Sequence, residues 1–242
     1  GLHAVEHALL RAFLAQGTVD DLGSLGHCAK CQQRIEHKLR AGARECTMAD
    51  ITPQGHELWS AFDRHCAGLG VAGYRKLTVD IVAPQPELAL GVHDVVHCSG
   101  IIYHLPDPFR MLRNLHRVTR RHLIVTSMVV AEEMRTPAGT LPFGPDEARF
   151  VPSLTPASRA IVAAYFDALG IRIAAINGEA EPWIYPDGQE NYGPWWWLYS
   201  PAFFRGMAEV AGFAVEGECW TWESRAYSLL LRPLESARRA AP

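Results

Sequence analysis

Hydrophobic and polar positions along this chain alternate between two periods. Short, near-continuous apolar runs are separated by stretches in which apolar residues return every three or four positions. The first pattern reads as strands buried on both faces, the second as amphipathic helices. Their alternation reads as a parallel sheet with helical crossovers. The clearest unit covers residues 92–130. Val95, Val96 and Cys98 form an apolar run after Asp94, Ser99-Gly100 breaks it, and Pro106-Asp107-Pro108 punctuates the loop. From Phe109 the apolar residues fall at Phe109, Leu112, Leu115 and Val118, with Arg110, Arg113, Asn114, Arg117 and Arg120 on the opposite face. Asp107 stands before Pro108 as a helix cap, and proline suits the first helical position. Leu123-Ile124-Val125 supplies a second buried strand, which completes a strand–helix–strand unit.

The same reading extends both ways. Residues 2–16 carry one apolar stripe and read as a helix closed by Gly17. A short strand then runs into the turn Asp21-Leu22-Gly23-Ser24-Leu25-Gly26, followed by a helix from about Cys28 to Leu39. Arg44–Ile51 reads as a strand with Asp50 at its end, 56–69 as a helix, and Arg75–Ile81 as a strand ending near Asp80. After Val130 the alternation stops. Residues 131–199 are rich in proline, glycine and aromatics, with one helix at Pro156–Leu169 capped by Thr155, a turn at Pro186-Asp187-Gly188, and the run Trp195-Trp196-Trp197. Ser200–Ala211 reads as the last helix, and Phe213–Val215 and Tyr227–Leu231 as a closing hairpin. The chain thus divides into 1–130, the first half of an α/β core with an N-terminal helix, 131–199, an insert, 200–234, a closing helix and hairpin, and 235–242, a frayed tail.

The segment "DVVHCSGIIYHLPDP", continued by "L.N..RV" and "LIVTS", resembles the fourth strand, following helix and fifth strand of class I S-adenosylmethionine-dependent methyltransferases. "M.E.AGF.V" near the end resembles their closing hairpin. The resemblance implies a Rossmann-like, seven-stranded, mostly parallel sheet with helices on both faces and an antiparallel last strand. It implies S-adenosylmethionine as cofactor and direct in-line methyl transfer. It also assigns residues. Asp21, Gly23, Ser24 and Gly26 form the cofactor loop, where glycine allows the backbone to approach a ligand. Asp50 accepts from the ribose diol beside Ile51. Asp80 accepts from the adenine amine while Ile81 packs on the ring. Cys98, Ser99 and Gly100 bring small residues to the same edge. In open α/β sheets ligands bind beyond the carboxyl ends of the strands, so acids at three such ends would face one crevice. The loop departs from the family pattern: it is one residue short, and Asp20 stands where an apolar residue is usual.

On the acceptor side, His104 is the candidate base, because imidazole titrates near neutral pH; a structural hydrogen bond in the turn is the other reading. His97 is less suited, since it lies inside a strand. Tyr103, His104, Glu132, Tyr192, Trp195 and Trp196 are candidate substrate contacts, the insert acting as a lid or wall over the crevice. The alternative for the tryptophans is that they anchor the insert to the sheet. Arg135, Arg149 and Glu133 are further polar residues that the sequence does not rank.

Composition narrows the function. The 242 residues are 48% hydrophobic with net charge −3, enough for a sizeable core and unsuited to general nucleic-acid or anionic-membrane binding. No apolar run approaches the roughly 20 residues of a membrane helix. The start reads as an amphipathic segment rather than a signal peptide, so the expected location is cytoplasmic. Cys28 and Cys31 form a CxxC without a second pair, which reads as thiols in a reducing compartment and not as a metal site. His3 and His7 share a helical face and read as solvated. The leading expectation is O- or N-methylation of a small molecule. "GIIYHLPDP" also resembles the loop of wobble-uridine RNA methyltransferases, and the altered glycine loop allows a catalytically silent binding module. An NAD-dependent dehydrogenase would need a complete GxGxxG. A small-molecule acceptor is the expected partner, without nucleic acid or membrane; monomer and homodimer are both left open.

Overall fold

The computed structural model describes residues 19–23, 43–130, 133–171, 176, 182–221 and 226–235, with backbone only for 19–23. The expectations for residues 2–16, for Ser24, Gly26 and the helix after Cys28, for Glu132 and for the tail beyond 235 lie outside these residues. In chain order the described elements begin with β1 (Val19–Gly23), β2 (Cys46–Asp50), α1 (Glu57–Gly68), β3 (Tyr74–Thr78), the short α2 (Glu87–Leu90) and β4 (His93–Ser99). They continue with α3 (Pro108–Val118) and β5 (Thr119–Met128), then the insert strands β6 (Met134–Thr136), β7 (Gly139–Leu141) and β8 (Ala148–Phe150). Last come α4 (Pro156–Ala168), β9 (Trp197–Tyr199), α5 (Pro201–Val210), β10 (Phe213–Thr221) and β11 (Ala226–Pro233). Among the described residues no helix is long and apolar enough to cross a membrane.

Seven strands form one sheet in the order β3-β2-β1-β4-β5-β11-β10. β1 through β5 pair in parallel, while β11 runs antiparallel to both β5 and β10. Alternate residues of a strand point to opposite faces. Cys46 and Met48 of β2 bury against Trp59, Phe62 and Cys66 of α1. Ala49, together with Val96 and Cys98 of β4 and Leu123 and Val125 of β5, buries with Met111, Leu112, Leu115 and Val118 of α3. The two helices therefore cover opposite faces of the sheet. Each such large side chain, fully buried, contributes about 1.5–3 kcal/mol.

Two caps read from sequence, Asp107 and Thr155, form as hydrogen bonds, and the structure adds a third at Ser200. Asp107 Oδ1 accepts from Arg110 N at 2.9 Å, Thr155 Oγ1 from Ser158 N at 3.1 Å, and Ser200 Oγ from Phe203 N at 3.1 Å. Other details differ from the pattern. β3 ends at Thr78, because Asp80 turns the chain: its Oδ1 accepts from Val82 N at 2.9 Å and its carbonyl from Ala83 N at 3.1 Å. Asp21 lies two residues inside β1 rather than at its tip, its Cα opposite Met48 and His97. Arg120 belongs to β5, where it pairs with Asp94 at 2.8 Å. Asn114 is not on a solvated face. It is 5% exposed, and its amide donates to Ile81 O at 2.7 Å and Ala83 O at 3.0 Å, so α3 clamps the loop that follows β3.

The insert holds more than its one expected helix. β6 and β7 form a hairpin, and β8 pairs with β9. Gly139, at φ +136°, lets the hairpin approach α4: a Cβ there would lie 3.1 Å from Ile161 Cδ1. Aromatic side chains fix the insert to the core. Tyr103 packs on Trp195 with ring centroids 4.6 Å apart, and Trp195 on Phe166 at 4.9 Å. Trp196 Nε1 donates to Asn191 O at 2.9 Å, and Trp197 Nε1 to Pro106 O at 3.1 Å. The backbone joins as well, with Trp196 N donating to Tyr103 O at 2.8 Å and Val130 N to Tyr199 O at 2.7 Å.

Asn114→Leu leaves two loop carbonyls without their donor and is expected to lower the unfolding free energy by about 1–3 kcal/mol in urea titration, while exposed Arg113→Gln leaves it unchanged. Trp195→Ala opens a cavity at the insert junction and is expected to cost about 3–5 kcal/mol in the same assay.

Candidate functional site

Parallel pairing sends the carboxyl ends of β1 to β5 to one edge, and register aligns them. Asp50 lies opposite Thr78, Leu22 opposite Ala49, Gly23 opposite Ser99, and Ser99 opposite Thr126. A cavity of about 780 Å³ opens along this edge. From the tip of β2 it receives Asp50, Ile51 and Thr52; from the turn after β3, Val79, Asp80 and Ile81; from beyond β4, Gly100, Ile101 and His104. The insert closes it with Tyr185 and the segment from Gly188 to Gly193.

The acidic segments on this edge are held in place by hydrogen bonds. Asp50 Oδ1 accepts from Thr52 N at 2.8 Å and Thr52 Oγ1 at 2.5 Å. A carboxylate can accept more than two hydrogen bonds, so Asp50 retains the chemistry to take donors from a ligand. Val79 N donates to Asp50 O at 2.9 Å, which ties the two acidic segments together. Gly100 adopts φ +77°, a conformation that costs other residues, and donates its N–H to Thr126 O at 3.1 Å. Beside it Ser99 is 2% exposed, and its hydroxyl has no hydrogen-bond partner among the described residues. A buried unsatisfied hydroxyl is costly unless something fills the need. Ile51 is 49% exposed, leaving an apolar surface at the cavity.

His104 ends a single 3₁₀ turn, Ile102–His104, with its Nδ1 3.2 Å from Pro194 O. A carbonyl only accepts, so this contact assigns the proton of the neutral ring to Nδ1 and makes Nε2 the basic nitrogen. Tyr192 reaches over from the insert. Its hydroxyl donates to Glu190 Oε2 at 3.4 Å, and the Asp80 carboxylate stands close enough to act on it electrostatically. Burial first, then the Asp80 and Glu190 carboxylates, push this phenol well above its ordinary range, so it remains a neutral donor.

Of the residues singled out in the sequence, Asp50, Ile51, Asp80, Ile81, Gly100, His104 and Tyr192 therefore line one cavity. Gly23 reaches the same edge through its backbone in β1. Cys98 is 1% exposed and sits in the sheet core beneath the edge. Tyr103, Trp195 and Trp196 are 7%, 5% and 5% exposed and are not part of the lining; they lie behind it, joining insert to loop. Arg135 and Arg149 pair with Glu133 and Glu147 instead of facing the cavity. Sequence reading passed over Thr52, Tyr185, Glu190 and Asn191. For Thr52 the signal was present, since a threonine two residues after an aspartate is a turn partner. For 185–191 only the Pro-Asp-Gly turn marked the place.

No family profile matches the chain, and no curated protein matches it in sequence. Solved structures match it in fold. An O-methyltransferase family protein from Burkholderia thailandensis superposes with a TM-score of 0.56 at 14% identity, over 96% of this chain and 56% of that one. The 1,6-didemethyltoxoflavin-N1-methyltransferase of the same organism, crystallised with 1,6-didemethyltoxoflavin and S-adenosylhomocysteine, gives 0.54 at 11% identity over 95% and 76%. The mitomycin 7-O-methyltransferase MmcR gives 0.54 at 15% identity over 95% and 53%. The chain thus spans little more than half the length of the first and third of these. At such identities the likeness is one of architecture, and the chain shares the α/β fold of these methyltransferases.

Proposed function

We propose that this chain is an S-adenosylmethionine-dependent methyltransferase that acts on a small molecule at oxygen or nitrogen. The observation that carries the reading is the convergence of Asp50, Asp80 and Gly100, from the ends of β2, β3 and β4, on one cavity at the carboxyl edge of the sheet. The fold neighbours named above, methyltransferases of small molecules, support it, as does the Rossmann-like character of the strand order. The residues suit the cofactor. Asp50 takes the ribose diol, Asp80 the adenine amine, and Ile51 and Ile81 the faces of the nucleoside. Ser99 offers the buried hydroxyl that lacks a partner among the described residues, and Gly100 offers backbone without a side chain. Asp21, Gly23, Ser24 and Gly26 complete the site in this reading, with Cys98 filling the core beneath.

S-adenosylmethionine, when bound, supplies a methyl group on a positively charged sulfur. The chain's own task is positioning. Holding two reactants in line removes much of the entropic barrier of a bimolecular step. The insert forms the outer wall and excludes water. Tyr192, kept as a neutral phenol beside Asp80 and Glu190, presents a hydroxyl from the insert, while Val82 N fixes the Asp80 carboxylate. His104 Nε2 takes the proton of an acceptor that arrives protonated, and its Nδ1–H to the Pro194 carbonyl holds the ring for that purpose. The acceptor site lies between His104 and Tyr192, with Tyr103, Trp195 and Trp196 as the supporting layer; Glu132 is a further substrate contact in this reading.

Isothermal titration with S-adenosylmethionine is expected to give micromolar affinity, and Asp50→Ala to weaken it at least tenfold, about 1.4 kcal/mol. Absence of heat at millimolar ligand would leave a silent module with a shortened glycine loop and overturn the reading. On an acceptor found by screening phenols and amines with labelled methyl donor, His104→Gln is expected to lower kcat by about 10²-fold or more with cofactor affinity unchanged. An unaltered kcat would remove His104 from the chemistry.

A further inference from the structure

A second concavity lies away from the cavity described above, between the outer side of α3 and the loop after β3. It is a groove of about 400 Å³ lined by Pro84, Gln85, Phe109, Arg110, Arg113 and Arg117, with Asp107 at one end and Asn114 at its base. The three arginines stand at i, i+3 and i+7, one face of the helix, within about 10 Å along its axis. Arg110 and Arg113 are exposed and make no ion pair or side-chain hydrogen bond with the described residues. Arg117 has only a distant contact, 3.9 Å from Glu87. Asp107 and Glu87 offset part of this charge, which leaves three guanidinium groups against two carboxylates. In a chain of net charge −3 the groove is thus a local excess of positive charge.

Its wall is also held in a costly shape. Gln85, at φ 54°, is the one non-glycine residue at positive φ among the described residues. Such strain persists where the surroundings over-determine it. Here the Asn114 clamp on Ile81 and Ala83 fixes the chain just before Gln85. The groove is therefore preformed, with an aromatic wall at Phe109 and guanidinium forks along one side.

We infer that this groove binds a phosphate ester. Three guanidinium groups on one helix face repel one another, and an anion among them relieves the repulsion. A phosphate presents several acceptor oxygens and takes paired N–H donors from more than one arginine, which a single carboxylate does less well. The size admits one compact group with a short organic tail against Phe109. A nucleic acid fits poorly, because net negative charge outside the groove opposes a long polyanion. The ester is carried on a free small molecule or on a protein side chain. This site is separate from the proposed cofactor cavity, so its test does not depend on the methyltransferase reading.

The full chain, without cofactor, is titrated in low salt with phenyl phosphate and with a phosphoserine peptide, with phenol and the unphosphorylated peptide as controls, and followed by calorimetry and amide chemical shifts. Saturable binding of a phosphate probe at millimolar affinity or better is expected, with shifts at Gln85 and 109–117 and none for the controls. Arg110→Gln/Arg113→Gln is expected to weaken it at least tenfold at an unchanged unfolding midpoint. If the double variant misfolds, Arg113→Gln alone is expected to weaken it about threefold. The tighter probe tells which kind of carrier presents the ester. No saturable binding, equal affinity in a folded variant, shifts confined to the Asp50–Asp80 cavity, or a single-stranded RNA decamer that outcompetes phenyl phosphate would each overturn the proposal.

Discussion

Parallel register is the constraint on which this molecule depends. Because β1 through β5 run side by side in one direction, every loop that leaves them at the carboxyl end does so on one edge. Side chains that are 30 or 50 residues apart in sequence then become neighbours. Asp50 and Asp80 meet this way, and the Val79 N–H to Asp50 carbonyl bond continues the β2–β3 pairing one step beyond the strands. The strands in turn are held by helices on opposite faces, through the α1 cluster on Cys46 and Met48 and the α3 cluster on Val96, Cys98 and Val125. Loss of either cluster would let the register slip, and a one-residue slip turns every side chain to the wrong face.

What register brings near, short hydrogen bonds then aim. Asp50 is oriented by Thr52, Asp80 by Val82, and the stretch from Ile81 to Ala83 by Asn114 from the far side of α3. One helix therefore serves two places. Its apolar face supports the sheet, and a single buried amide stiffens the loop between the cavity and the arginine groove. The insert is fixed by a different means, an aromatic chain running from Tyr103 through Trp195 to Phe166, together with indole N–H bonds to backbone carbonyls. Aromatic side chains with one polar atom suit such a junction, because they bury large area and still satisfy a backbone acceptor.

The core was legible in the sequence because its signals are local. Apolar runs, helical spacing and the caps Asp107 and Thr155 placed strands and helices to within a few residues. Asp50, Asp80, Gly100 and His104 could be chosen because they follow strands, and loops after parallel strands share an edge. Where tertiary contacts decide, the sequence was silent. Asn114 reads as one polar residue among arginines, and only the carbonyls of Ile81 and Ala83, more than 30 residues away, explain its burial. Asp80 reads as a strand end because nothing local says that its side chain will turn the backbone. In the insert, Trp195 and Trp196 could be lining or anchor by composition alone; their burial and their partners decide for anchor. The strands β6 to β9 are three residues each, too short to leave a period.

A crystal structure of the chain with S-adenosylhomocysteine tests the central claim most directly. The ligand is expected in the cavity at the carboxyl edge, its ribose hydroxyls within hydrogen-bond reach of Asp50 and its adenine amine within reach of Asp80. A ligand seated elsewhere, with both carboxylates bonded only to their own turns, would contradict it.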